Sequence, residues 1–195
     1  MLTSMSESFV RAQGIKLRAL KREDLPQLWA WYQNPDLMRH LVGTFRYRSE
    51  TDALAYMERW LQTSETEVRC AIEEIDTGQL IGMTFLTGID KIHSHGEAHC
   101  FLGDVDIRGK GWGRTALAMM LDHAFYDLGL HRMYVELMVT NQAAFRMDSS
   151  VGFLVEGTKK EAAFKDGRWV DVICMGMTEE RYFEVHGRPG DRQGE

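Results

Sequence analysis

Apolar positions along this chain repeat with two different periods, and the switches between them mark out its elements. In "GIKLRALKREDLPQLWAWYQNP" Ile15, Leu17 and Ala19 alternate with polar neighbours, as in a half-buried strand. Asp24 and Pro26 then open a helix, the aspartate as its cap and the proline in its first turn, and Asn34 with Pro35 closes it. Leu54, Met57 and Leu61 fall at helical spacing behind Ser49, which predicts a second helix over residues 49–62. From Val68 the period drops to two. The runs "VRCAIEEI", "QLIGMTFLTGI" and "EAHCFLGDV" read as three strands with turns at residues 76–78 and 94–96, hence an antiparallel meander.

Helical spacing returns at Ala116, Leu117, Met120, Leu121, Ala124, Phe125 and Leu128, which share one face until Gly129 ends the segment. The rest reads as strand "RMYVELMV", short helix "QAAFRMDSSV", strand "FLVEGTKKEAAF", a hairpin turn at Asp166 and Gly167, and strand "WVDVICMGM". The order β, α, α, three strands, α, β, α, β, β contains no repeat. It predicts one α/β (α+β) domain built on a mixed sheet. We expect this domain over residues 14–183, after an N-terminal extension of residues 1–13. Residues 184–195 should form a disordered tail, because Gly, Pro and charge there lack apolar anchors.

Length and charge narrow the picture. A chain of 195 residues suits one full-sized core. With 23 basic against 29 acidic side chains the net charge is −6, unlike the broad basic surface that grips nucleic acid. Cys70, Cys100 and Cys174 form neither a disulfide framework nor a paired metal motif, which fits a reducing cytoplasm. No signal peptide opens the chain, and no apolar run approaches the roughly 18 residues of a membrane span. A cytoplasmic protein with neither nucleic-acid nor membrane partners is expected.

The chemistry concentrates in "DIRGKGWGRTALAMMLDHAF". Gly109, Gly111 and Gly113 alternate with Arg108, Lys110 and Arg114 at the mouth of a helix. Closely spaced glycines expose consecutive backbone N–H groups, and the helix dipole adds positive potential, so the loop should hold an anion such as phosphate. A Walker loop is excluded by spacing. A dinucleotide fingerprint would have Glu136 on the next strand as its ribose acid, but the glycine spacing is wrong and hairpins follow where further βαβ units should continue.

"R-G-K-G-W-G" resembles the R-x-x-G-x-G/A loop of the GNAT acetyltransferase superfamily. Further segments are similar to that superfamily: "GEAHCFLGDVDIRGKGWG" to its acidic strand entering the loop, and "VTNQAAFRMDSSVGF" to its asparagine-led helix. "EGTKKEAAFKDGRWVDVICMGM" and "LRALKREDLPQLWAWYQNPDLM" resemble the closing hairpin and N-terminal segment of its RimJ/RimL branch, so the likeness spans roughly residues 14–178. The resemblance implies a GNAT fold, a mixed sheet with splayed parallel strands and helices on both faces. It implies acetyl-CoA as acyl donor, direct transfer to an amine, and no metal. By motif, Leu102 and Gly103 would offer backbone groups to the pantetheine arm. Gly109, Gly111, Gly113 and Arg114, opened by Arg108, would hold the pyrophosphate, and Asn141 would contact the donor from the second splayed strand. Glu97 stands where the family often carries its base. Asp148 takes the place of the usual tyrosine acid, and an ionised aspartate donates no proton unless burial raises its pKa.

Within that branch "LIGMTFLTGIDKIHSHGEAHC" and "NQAAF" look most like spermidine acetyltransferases, and Glu73, Glu74, Asp90 and Glu97 would suit a polycation. A small-molecule amine is therefore the expected acceptor: a polyamine, amino sugar or antibiotic. The alternatives are a protein N-terminal acetyltransferase and a non-enzymatic acyl-CoA-binding regulator, the latter motivated by Asp148. A homodimer is common in the family. His93, His95, Glu97 and His99 would line up as metal ligands on a continuous strand, but the turn expected at residues 94–96 breaks the row, leaving His95 or His99 to line a cleft. Met119, Met120, Met133, Met138 and Met147 read as core filling. Trp29, Trp31 and Tyr32 read as packing, one of them a candidate wall of the acceptor pocket.

Overall fold

A computed structural model describes residues 11–12, 14–42, 48–62, 64–103, 107 and 109–188. Its strands are β1 (Arg11–Ala12), β2 (Ile15–Ala19), β3 (Val68–Glu74), β4 (Leu80–Asp90), β5 (His95–Leu102), β6 (Arg132–Met138), β7 (Leu154–Lys165) and β8 (Arg168–Thr178). Among the described residues they form one sheet in the order β1-β2-β3-β4-β5-β6-β8-β7. Every neighbouring pair is antiparallel except β5 with β6. The helices are α1 (Leu25–Tyr32), α2 (Pro35–Met38), α3 (Glu50–Glu58), α4 (Trp112–Asp122), α5 (Gln142–Val151) and α6 (Glu179–His186).

Strand alternation builds two apolar layers. On one face Ile15, Leu17, Ile72, Ala98, Met133, Val135, Leu137, Met175 and Met177 meet Ala116, Leu117, Met120 and Leu121 of α4 and Tyr182 of α6. On the other, Met83 and Phe101 meet Leu25, Leu28 and Trp31 of α1 and Met57 of α3. Helices thus cover both faces. Met119, Met120, Met133 and Met138 are all buried, the core-filling role read from their spacing.

Local chemistry explains most boundaries. Asp166 and Gly167 both take positive φ, 49° and 76°, as a tight hairpin turn between β7 and β8 requires. Ser49 caps α3 by accepting the Asp52 N–H at 3.1 Å. Asn34 not only ends α1 but starts α2, its side chain accepting from Asp36 and Leu37. Asp24 departs from its expected role. It makes no side-chain cap to α1; its carboxylate takes the Arg18 guanidinium at 2.7 and 2.9 Å and the Lys21 N–H at 2.7 Å. The buried carboxylate is thereby satisfied, as the interior requires.

Of the expected extension and tail, residues 1–10, 13 and 189–195 lie outside the described residues. Residues 11–12 pair with β2 as an edge strand, and α6 carries the described structure past residue 183. There Thr178 caps Arg181 while Tyr182 and Phe183 are buried. The Tyr182 hydroxyl donates to the Ala118 carbonyl at 2.8 Å and to Asp122 at 3.0 Å, tying α6 to α4.

Gly103, just past β5, lies against the Trp31 indole so closely that a Cβ would overlap it. Trp31 is only 3% exposed and has no room to retreat. Gly103→Ala should cost roughly 1–3 kcal/mol by overpacking and lower the melting temperature by several degrees. Gly157→Ala, where a Cβ meets nothing within 4 Å, should leave it nearly unchanged. Equal melting temperatures for the two variants would contradict this account.

Candidate active site

Strands β5 and β6 are joined only at their starts, through His95 with Arg132, Gly96 with Met133 and Glu97 with Tyr134. Beyond that point each follows its outer neighbour, β5 paired with β4 as far as Leu102 and β6 with β8 as far as Met138. The parting opens a cleft of about 520 Å³ whose lining includes Glu97, His99, Cys100, Glu136, Asn141 and Asp148. Because Ala98 and Cys100 pack toward the α4 layer, Glu97 and His99 point the other way, toward α1 and α3. Tyr134 and Glu136 share that face, since Met133, Val135 and Leu137 take the opposite one.

Glu97 therefore sits at the vertex of the opening. Burial, reinforced by the Glu136 carboxylate and opposed by Lys159, pushes its carboxyl up to about 7. His99 approaches it at 3.6 Å, but burial and then Arg69 lower the imidazole to about 4, so it is neutral and the contact is not an ion pair. The His99 ring stacks on Phe85 at 4.5 Å, and its Nε2 hydrogen-bonds the Thr87 hydroxyl at 2.8 Å. Arg69 lies over the Trp60 and Phe85 rings, 5.0 Å from each centroid. Tyr32, Tyr56 and Trp60 complete an aromatic wall.

Several expected roles shift. Of the four acids thought to attract a polycation, only Glu97 faces the cleft. Glu73 is bound by Lys16 at 2.6 Å and by Arg18. Glu74 accepts the Thr77 hydroxyl at 2.7 Å, and Asp90 accepts the Ile92 and His93 amides. Glu136 joins Glu97 instead, visible in the sequence only as an acid on the splayed strand. The turn before β5 spans residues 91–94, not 94–96, so His95, Glu97 and His99 do share a face. His95 nevertheless packs beside His93 and Tyr134, and the described residues contain no group of three or more His, Cys, Asp or Glu that could hold a metal ion. Trp31 is core, whereas Tyr32 is a wall of the cleft.

On the α4 face, Gly109 and Gly111 have φ of 85° and 79°, a left-handed backbone that favours glycine. Gly111 caps α4, whose first turn carries no acid. Gly113 serves packing: its Cβ would stand 3.1 Å from the Met147 sulfur, holding α4 tight against α5. Arg114 is exposed, its Nε 3.4 Å from the Ser150 carbonyl. Lys110 turns back over the Trp112 ring at 4.1 Å, and Arg108 lies outside the described residues. The Gly103 N–H is already taken by the Ile81 carbonyl at 3.0 Å, which removes it as a donor to a ligand. Leu102 is partly buried against the α4 layer. Asn141 spends its side chain on structure, accepting the Ala144 N–H at 3.1 Å and donating to the His40 carbonyl at 2.8 Å.

Asp148 is 5% exposed, and burial pushes its carboxyl up to about 7. Nearby Cys100 is raised by burial, and then by Asp148, to about 12 and stays a neutral thiol; it donates to the Gly113 carbonyl at 3.5 Å. Gly109 and Gly111, where a Cβ would meet nothing within 4 Å, leave the helix mouth open. A helix N-terminus behind positive-φ glycines, a parted pair of strands and carboxyls near neutrality on either side fit an acyl-CoA donor.

Residues 15–154 match the Acetyltransferase (GNAT) domain. The chain belongs to the GNAT acetyltransferase family. It is an enzyme, an acetyl-CoA-dependent N-acetyltransferase acting on amines. The spermidine N(1)-acetyltransferase of Vibrio cholerae serotype O1 is 30% identical over 168 residues, covering 86% of this chain and 95% of the relative. That of Escherichia coli K12 is 26% identical over 179 residues, covering 92% and 94%. The solved structure of the Vibrio cholerae spermidine N-acetyltransferase in complex with CoA and spermine superposes with a TM-score of 0.81 at 28% identity, covering 88% of this chain and 99% of that one.

The buried carboxyl of this acetyltransferase makes a stability prediction whose sign is fixed. Asp148 titrates near 7 when folded and near 4 when unfolded. Below about pH 4 it is protonated in both states and costs nothing; as pH rises toward 7 the unfolded state is increasingly favoured. Asp148→Asn should therefore match wild type in melting temperature near pH 4 and exceed it by several degrees at pH 8. A constant difference across that range would show that the carboxyl is not displaced.

Proposed function

We propose that this enzyme acetylates a small aliphatic polyamine, with Glu97 as base and Asp148 as acid. The carrying observation is the face that Glu97 shares with Glu136 and with the wall of Tyr32, Tyr56, Trp60 and Phe85. Acids at the base of an aromatic cleft favour an ammonium on an apolar stem over a neutral or anionic acceptor. The polyamine-acetylating relatives support that choice, and the closing hairpin and N-terminal segment support a place in the RimJ/RimL branch.

Acetyl-CoA supplies the acyl group as an activated thioester. We assign its pyrophosphate to the backbone N–H groups of Gly109, Gly111 and Gly113, with Arg114 and Arg108 beside them. Leu102 and Asn141 would wall the channel; Gly103 lets α1 close against it. The amine arrives as a cation and reacts as a neutral nucleophile, so Glu97 takes a proton at its carboxylate, a task suited to a pKa near 7. Asp148 holds a proton at its carboxyl and gives it to the departing sulfur, which the family tyrosine otherwise does. The two carboxyls lie toward opposite faces of the parted strands, so each serves one side of the transfer.

Two measurements check this. With acetyl-CoA, spermidine and spermine should release free thiol well above the blank, and glucosamine or a peptide N-terminus should do so poorly; blank rates for both polyamines would overturn the assignment. The pH profile of kcat should be bell-shaped around 7, rising as Glu97 ionises and falling as Asp148 does. Glu97→Gln should remove the acid limb and Asp148→Asn the alkaline limb, each lowering kcat roughly 10²- to 10⁴-fold. Limbs that survive the substitutions would transfer those roles elsewhere.

A further inference from the structure

Glu136, the second acid of the cleft, is not free to receive a ligand as it stands. Lys159 of β7 forms an ion pair with its Oε1. The reach is set by register: Lys159 lies opposite Val172 of β8, and Cys174, two residues along β8, lies opposite Glu136 of β6. The lysine stem thus crosses one strand on the face that lines the acceptor side. Glu97 feels this pair directly, its carboxyl raised by Glu136 and lowered by Lys159. The pair is open to water, with Lys159 53% and Glu136 25% exposed, and such pairs are worth no more than about 1 kcal/mol. The neighbouring Lys160 is held elsewhere, by Asp171 at 2.8 Å, so it does not substitute for Lys159.

We infer that the Lys159 ammonium occupies, in the free enzyme, the place of an acceptor's second ammonium, and that a dicationic amine binds by displacing Lys159 from Glu136 while presenting its first amine to Glu97. Glu97 and Glu136 face the same cleft for this: Glu136 lies on the same face of β6 two residues beyond Tyr134, the register partner of Glu97, so the two acids are offset along the parting strands as the two ends of a diamine are. A monoamine uses Glu97 alone and leaves the Lys159–Glu136 pair intact. Lys159 is then a specificity-determining residue that penalises every diamine by the exchange it demands, without touching the reacting atoms. This rests on the polyamine reading above.

The test is calorimetric binding to the full chain with coenzyme A present, comparing 1,4-diaminobutane with n-butylamine. At pH 9, where Glu97 is ionised, Lys159→Ala should tighten diamine binding roughly three- to fivefold, the equivalent of an exposed ion pair, and change monoamine binding less than twofold. Lys159→Arg, which keeps a cation at the site, should bind both amines as wild type does. Glu136→Gln should weaken the diamine and spare the monoamine. Diamine affinity unchanged or weakened in Lys159→Ala, or a shift shared equally by the monoamine, overturns the inference, as does absence of diamine binding to every form. Amines that bind in the expected pattern without being acetylated would sink the polyamine reading and leave Lys159 standing; acetylation without that pattern would do the reverse.

Discussion

The parallel pairing of β5 and β6, and its ending at Glu97 and Tyr134, is the constraint on which the remaining site depends. Backbone groups of adjacent strands normally satisfy each other, and leaving them unpaired in an interior is costly. Here each strand keeps its outer partner to the end, so half of its hydrogen bonds survive and only the inner edges open. An extended substrate can lie along such edges. Because the strands are anchored on both sides by antiparallel neighbours, the gap is built into the pairing of the sheet.

Proton chemistry follows from that geometry. Burial at the parting raises the carboxyls bordering it, and both Glu97 and Asp148 sit near 7. The replacement of the customary tyrosine by aspartate is then less of a loss than the residue type implies. A phenol keeps its proton at neutral pH because it is intrinsically weak; this carboxyl holds one toward neutrality because burial makes it weak. The cost is borne by folding, since Asp148 has a buried ionisable group where an aromatic ring would have added apolar contact.

Elements held by local chemistry were legible in the sequence: the α4 stripe, the Asp166-Gly167 turn and the glycines before α4 each depend on neighbours within a few residues. What could not be read depends on partners far along the chain. Glu73 looked like an acid for a cation, but Arg18 and Lys16 claim it across a strand pairing that periodicity does not reveal. Asp24 looked like a cap and is instead an Arg18 ligand. The Gly103 amide looked available until β4 supplied the Ile81 carbonyl. α6 was missed because its anchors, Tyr182 and Phe183, gain their meaning only against α4 and the sheet. The displaced pKa of Asp148 was likewise hidden, since burial is a property of the packed chain.

The indole of Trp31 lodged where Gly103 has no side chain has a further consequence. It fastens α1, on one face of the sheet, to the end of β5, so a covering helix and a strand that borders the cleft share one fulcrum. A ring placed differently at position 31 would tilt the end of β5, so substitutions in α1 should be felt on the strand that borders the cleft, and positions outside that joint should tolerate change more readily.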